Sequence, residues 1–253
     1  MVDSAINRFI VTSALVTNAG VYTPAVRVAQ TRETIRSIRR HFPRAFILLA
    51  EGGARLNDMP SGWDELRGAV DGLLDMTADQ RILDLHREAF ALTHSSTQKG
   101  GAVGFAKTMA ELLLMIGALG VLAQLPLSMQ GGRVFKLSGR YQLAPLFDPA
   151  FYEAATGRYV FACRRRSWVP NALQTIGVEH CLSSCLWSFD ASSLAEVTAV
   201  FQAMLRELSD ASDGAYIDIE HLLFKYIGAQ SIIEMPQMHL MGSVASTGVV
   251  IYE

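Results

Sequence analysis

Uninterrupted apolar runs alternate, through the first half of the chain, with stretches whose apolar positions recur at helical spacing. Phe9-Ile10-Val11 leads into Thr12-Ser13-Ala14-Leu15-Val16, which predicts a buried first strand with polar residues near its carboxyl end. Ile35, Ile38 and Phe42 then recur at helical intervals, with Thr31 as the cap and Pro43 as the stop. Ala45 to Ala50 is apolar throughout and ends at Glu51-Gly52-Gly53. Strand, helix and strand in so short a span make a crossover unit with parallel strands. Leu66, Val70, Leu73 and Leu74 predict one short helix, and Ile82, Leu83, Leu85 and Phe90 another. Leu112 to Leu127 is almost wholly apolar. Further on, Tyr159 to Cys163 and Leu186 to Phe189 have strand character. Leu194, Val197, Val200, Phe201, Met204, Leu205 and Leu208 trace one wide helix face behind a Ser193/Glu196 capping pattern. The expected architecture is a single α/β domain over residues 1–253, Rossmann-type, with a mostly parallel central sheet and helices on both faces.

Bulk properties narrow the function classes. A chain of 253 residues with half of them apolar can bury a large core. Its net charge of -2 excludes broad nucleic-acid binding, since positive charge concentrates only in Arg164-Arg165-Arg166, which is read as an exposed turn. Cys163, Cys181 and Cys185 lack paired ligand spacing, and His180 beside them brings no evident fourth zinc ligand. Buried thiols in a reducing cytoplasm are therefore expected. Met1 to Arg8 carries no basic region followed by an apolar core, so no secretory signal is read. The Leu112 to Leu127 run is shorter than the ~20 residues that cross a bilayer. With Lys107 and Glu111 one helical turn apart just upstream, it reads as a core helix, and peripheral membrane contact stays open.

Candidate chemistry gathers around Arg133 to Leu143. Val134, Phe135 and Leu137 form a short strand that Lys136 interrupts, and the strand ends in a Ser138-Gly139-Arg140 turn. In an open α/β sheet such a turn faces the crevice at the carboxyl ends of the strands, where Lys136, Ser138 and Arg140 would meet a phosphorylated ligand. The alternative is an ordinary turn whose cations are solvated or paired internally. Arg27 and Arg32, near a helix start, are phosphate candidates of the same kind. Glu51 either accepts hydrogen bonds from a ribose or stabilises its turn. Glu220, on the apolar side of a helix beginning near Asp218, is either a structural acid pairing with Arg140 or Lys136 or a catalytic one. His221 falls with Asp218 and Lys225 on a more polar side. The polar loop Thr93 to Gly101 and the small-residue segment Gly242 to Gly248 are candidate lids. Neither P-loop spacing nor a Gly-x-Gly-x-x-Gly after the first strand is present.

Thr12-Ser13, Gln30-Thr31 with Thr34-Ile35 and Ser37-Ile38, the strand into Glu51, Phe135-Lys136-Leu137-Ser138-Gly139-Arg140-Tyr141 and Ile219-Glu220-His221 together carry a likeness. They resemble bacterial and viral glycosyltransferase-like proteins with a nucleotide-sugar-binding GT-A-type fold. The resemblance implies a nucleotide-sugar donor and a glycan or other hydroxyl acceptor. It also implies an Asp-x-Asp metal site where Ser138-Gly139-Arg140 stands here, so manganese or magnesium is left open as a cofactor and no metal ligand is assigned. On this reading Lys136 and Arg140 stabilise the leaving diphosphate and Glu220 is the base. Thr12, Ser13, Arg27, Glu51, Ser138, Gly139, Tyr141 and His221 contact substrate. A non-catalytic nucleotide- or glycan-binding module on the same fold is the alternative.

Overall fold

A computed structural model describes residues 6–17, 21–54, 60–94, 101–126, 131–210, 217–227, 232–243 and 248–252. Most of the Thr93 to Gly101 loop and of the Gly242 to Gly248 segment lies outside the described residues. The strands are β1 (Arg8–Ser13), β2 (Phe46–Glu51), β3 (Gly72–Asp75), β4 (Arg133–Ser138), β5 (Tyr141–Leu143), β6 (Tyr159–Ala162), β7 (Arg165–Arg166), β8 (His180–Cys181), β9 (Leu186–Asp190), β10 (Ile232–Met235), β11 (Leu240–Ser243) and β12 (Val250–Tyr252). The helices are α1 (Pro24–His41), α2 (Trp63–Gly68), α3 (Gln80–His94), α4 (Gly101–Ala123), α5 (Pro149–Ala154), α6 (Ala172–Ile176), α7 (Leu194–Asp210) and α8 (Ile219–Tyr226).

The protein is α/β, with a seven-stranded sheet in the order β10-β6-β9-β4-β1-β2-β3. Every neighbouring pair is parallel except those made by β9, which runs against β4 and β6. Alternation sorts the side chains to two cores. Phe9, Val11, Ile47, Leu49, Phe135 and Leu137 enter one, shared with α1 and α2, and Ile10, Leu48, Ala50 and Val134 enter the other, shared with α4, α7 and α8. Lys136 follows Val134 in that alternation, so it points toward α4. Two small sheets, β12-β11-β5 and β7-β8, flank the large one.

Helix α1 begins earlier than the spacing suggests. Thr23 is its cap, accepting from the Val26 amide, and Pro24 opens the first turn, where a missing amide proton costs nothing. Thr31 lies inside the helix instead, and donates to the Gly139 carbonyl at 3.2 Å. Ser37, another buried hydroxyl of α1, accepts from the Leu143 amide at 3.0 Å. Two hydroxyls of α1 thus hold the turn after β4 and the end of β5, which belong to different sheets.

Two further expectations change, and one holds. Leu73 and Leu74 belong to β3, an edge strand pairing with β2, because sheet pairing outweighs a helix-like spacing in so short a run. Glu196 accepts from the Tyr159 hydroxyl at 3.1 Å, and the turn ahead of α7 is capped by Asp190. Helix α4 has a stretch, Gly104–Ala123, long and apolar enough to cross a membrane, yet it packs against β1, β2, β3, α3, α7 and α8, and Leu112, Met115, Ala118, Leu119 and Leu122 have no exposed surface. That is the position of a core helix.

Candidate functional site

The parallel strands end together, and their ends are stitched by backbone hydrogen bonds. Ser13 accepts from the Gly52 amide at 2.9 Å, and Thr12 accepts from the Gly139 amide at 2.8 Å. Glu51 completes the seam: Oε1 accepts from the amides of Leu15 and Gly53, both at 2.8 Å. A Cβ on Gly53 would lie 2.6 Å from that oxygen and 2.7 Å from the Val16 carbonyl, so only glycine fits there. Through Oε1 Glu51 is therefore the turn acid of the two readings, with its carboxyl buried and Oε2 without a hydrogen-bond partner among the described residues. Burial pushes its carboxyl above the ordinary range, against the pull of its donors.

Above this seam lie three cations. Arg27, on the first turns of α1, donates Nη1 to the Ala14 carbonyl at 3.1 Å, just past β1. Arg140 follows Gly139 in the β4–β5 turn, and Lys107 projects from α4. Burial, and after it the Arg140 charge, bring the Arg27 guanidinium down to about 10, with Glu51 and Tyr22 offsetting part of this. Burial likewise lowers the Lys107 ammonium, followed by the charges of Arg140 and Arg27, even though much of its side chain meets water. The three repel one another. Among the described residues none of them forms a salt bridge, and the Nε atoms of Arg27 and Arg140 are buried with no hydrogen-bond partner. Positive charge gathered at the strand ends and only partly offset by Glu51 is chemistry suited to an anion.

Lys136 behaves differently. Its ammonium donates to Glu111 Oε1 at 2.5 Å, to the Ser184 carbonyl at 2.5 Å and to the Ser138 hydroxyl at 2.9 Å. A lysine has three protons to give, and all three are given internally. The expectation that Lys136 grips a ligand phosphate is therefore corrected: one side of β4 is neutralised by Glu111 of α4. Ser184 continues the chain by donating its hydroxyl to Glu220 Oε1 at 2.6 Å. Burial, with added repulsion from Asp218 and Glu111, raises the Glu220 carboxyl to about 7, the Ser184 bond opposing.

Two other expected contacts are corrected by burial. Tyr141 is packed in the core between α1 and the sheet, with the Arg140 guanidinium 5.8 Å from its ring centre. His221 has no exposed surface; Nδ1 lies 2.7 Å from Asp218 Oδ1 and Nε2 lies 2.7 Å from the Ser167 hydroxyl. Asp218 caps α8 and draws His221 inward, which the expected polar side did not foresee. Thr12, Ser13, Ser138 and Gly139 do come together at the strand ends, through backbone and hydroxyl contacts.

Solved structures show a likeness at this level of architecture. The bifunctional glycosyltransferase WbbM, in its apo form, superposes with a TM-score of 0.51 over 92% of this chain, at 12% identity. The fold is glycosyltransferase-like. This chain spans 39% of the WbbM chain. Looser likenesses are a glycosyltransferase involved in glycosylation of the major capsid of PBCV-1 and the galactosyltransferase LgtC in complex with donor and acceptor sugar analogs. The former has TM-score 0.43 and 7% identity, covering 91% of this chain and 81% of that one; the latter has 0.42 and 9%, covering 90% and 72%. No family model matches the sequence, and no curated protein matches it.

In a glycosyltransferase-like fold the end of β4 is where the resemblance implies a metal site, and the residues here do not fit one. An arginine occupies it, and among the described residues no three His, Cys, Asp or Glu side chains converge on a point. Lys107, Glu111 and Ser184 were missed in the sequence as parts of a site. Lys107 and Glu111 had left a signal, a pair of opposite charges at helical spacing on an otherwise apolar helix.

Proposed function

We propose that the chain is a glycosyltransferase that moves a sugar from a nucleotide-activated donor to an acceptor hydroxyl. The observation that carries this is the convergence of Arg27, Lys107 and Arg140, none of them in a salt bridge among the described residues, at the edge where α/β sheets bind ligands. A nucleoside diphosphate supplies the missing negative charge. As the bond from the sugar's anomeric carbon to the phosphate oxygen breaks, charge grows on the diphosphate, and the three cations stabilise it. The acceptor oxygen forms the new bond and its proton passes to Glu220, whose carboxyl titrates at about 7, near the operating pH of an effective base. Lys136 acts one step back, fixing Glu111, Ser138 and Ser184 and through Ser184 the position of Glu220. In this reading the cations take the part of a divalent ion, so neither manganese nor magnesium is required. Cys163, Cys181 and Cys185 are free thiols, which suits a reducing cytoplasm, and one domain carries the whole site.

Calorimetric titration with UDP, GDP, CDP and ADP, each with chelator and with manganese, tests the proposal. At least one should bind in chelator, and Arg140→Ala should weaken it. Absence of binding throughout, or binding only with manganese, overturns the reading. A binding module without turnover is the second reading, favoured by the closed Lys136–Glu111 pair, and release of the nucleoside diphosphate from a bound donor separates the two.

A further inference from the structure

We propose that Trp168 is a stacking platform for a sugar ring of the acceptor, so that the acceptor is a glycan; this rests on the transferase reading above. Trp168 is 59% exposed, whereas Trp63 and Trp187 are 8% and 1% exposed. An indole left in water forgoes a large burial energy, which a ligand can recover. This one is also held rigid. Its ring meets that of His221 edge to face, with centroids 4.8 Å apart and planes at 69°. His221 is fixed by Asp218 on one nitrogen and Ser167 on the other, and the Ser167 hydroxyl also accepts from the Val169 amide at 3.0 Å. The residues before and after Trp168 are thereby tied together beneath it, and a platform ordered in advance loses little entropy on binding.

The carboxylate, imidazole and hydroxyl in line have the spacing of a nucleophile relay. An imidazole with no exposed surface cannot hand a proton to a leaving group, so its role here is support. Position argues for the acceptor. Trp168 belongs to the excursion 163–185, which leaves the sheet at the end of β6 and rejoins it at the start of β9, on the edge that carries Arg140. His221, beneath the indole, is the residue after Glu220, the proposed base. A pyranose offers a face of C–H bonds with its hydroxyls directed outward. A flat, fixed indole on the rim that carries Arg140 offers a surface to that face of the ring.

The test uses the full chain on a glycan microarray, as wild type, Trp168→Phe and Trp168→Ala, with circular dichroism confirming that each is folded. Wild type and the phenylalanine variant should bind a common set of oligosaccharides, with binding by the alanine variant about tenfold weaker. The soluble form of a bound glycan should protect tryptophan emission from acrylamide, because Trp168 is the accessible fluorophore. Nucleoside diphosphate binding should be equal in all three. Wild type that binds no glycan, or an alanine variant that binds as well, overturns the platform and leaves the diphosphate site standing. Glycan binding that persists where no nucleoside diphosphate binds overturns the transferase reading instead.

Discussion

Two clusters of charge flank β4, and they are built on opposite rules. On the α4 and α8 side, Lys136 is closed off: Glu111, Ser138 and Ser184 take its protons, and Ser184 passes the chain on to Glu220. Over the strand ends, Arg27, Lys107 and Arg140 are left open, with burial and mutual repulsion lowering the first two. A buried charge with a full complement of partners serves the fold. Charges that repel one another cost the fold something, and a ligand of the other sign would offset that cost. On the proposed function the difference separates scaffold from site, although Lys136 and Arg140 share one strand and its turn.

The contrast is broken most sharply by Lys136→Met. Removing this ammonium leaves Glu111 beside it without a counter-charge, and a loss of ~3–5 kcal/mol is expected in denaturant unfolding. Arg140→Ala should instead leave stability within ~0.5 kcal/mol of wild type, because the arginine has no carboxylate to abandon. If the two variants are equally destabilised, the division between closed and open clusters fails. Next in size is ligand affinity: Arg140→Ala and Arg27→Ala should each cost ~1.5–3 kcal/mol of nucleoside diphosphate binding, with a shallower salt dependence.

Glu220 supplies a pH test with a definite sign. Its folded carboxyl titrates at about 7 against an ordinary 4.5, so the fold favours the protonated form. Stability should therefore fall as pH rises from about 4.5 through about 7, and Glu220→Gln should remove that fall, matching wild type below pH ~4 and exceeding it by a few degrees in Tm above pH ~7. Transfer by the wild type should rise through the same window, and the glutamine variant should be inactive at every pH. The smallest effect is Gly139→Ala. The added methyl would lie 3.1 Å from the Thr31 hydroxyl and 3.2 Å from the Thr12 carbonyl, so the turn carrying Arg140 must shift slightly. About 1 kcal/mol of stability and a modest loss of nucleotide affinity are expected.

How much of this was legible depends on whether a partner lies close in sequence. β1 and β2 are buried on both faces, so they declare themselves as unbroken apolar runs, and the crossover through α1 follows from them. β3 did not, because a short edge strand has too few positions to show a period, and its leucines matched a helix by chance. Arg27 and Arg140 were singled out because each stands beside a turn or a helix start. Lys136 was misjudged because its partner, Glu111, arrives from a helix that local sequence does not pair with it. Glu51 and Glu220 were each left between two roles, and packing assigned the first to its turn. Lys107 was read as the polar mark of a core helix, which it is, and its second identity exists only once Arg27 and Arg140 are folded over it.

The reversed direction of β9 has a consequence for how such a molecule diversifies. Because β6 ends and β9 begins on one rim, everything between them departs and returns at neighbouring points, like a handle fixed at both ends. Apart from Ser184, which ties it to Lys136 and Glu220, such a handle can be lengthened, shortened or exchanged without altering the register of the seven-stranded sheet. Under the proposed function, selectivity for the acceptor is then free to change while Arg27, Lys107 and Arg140 stay as they are.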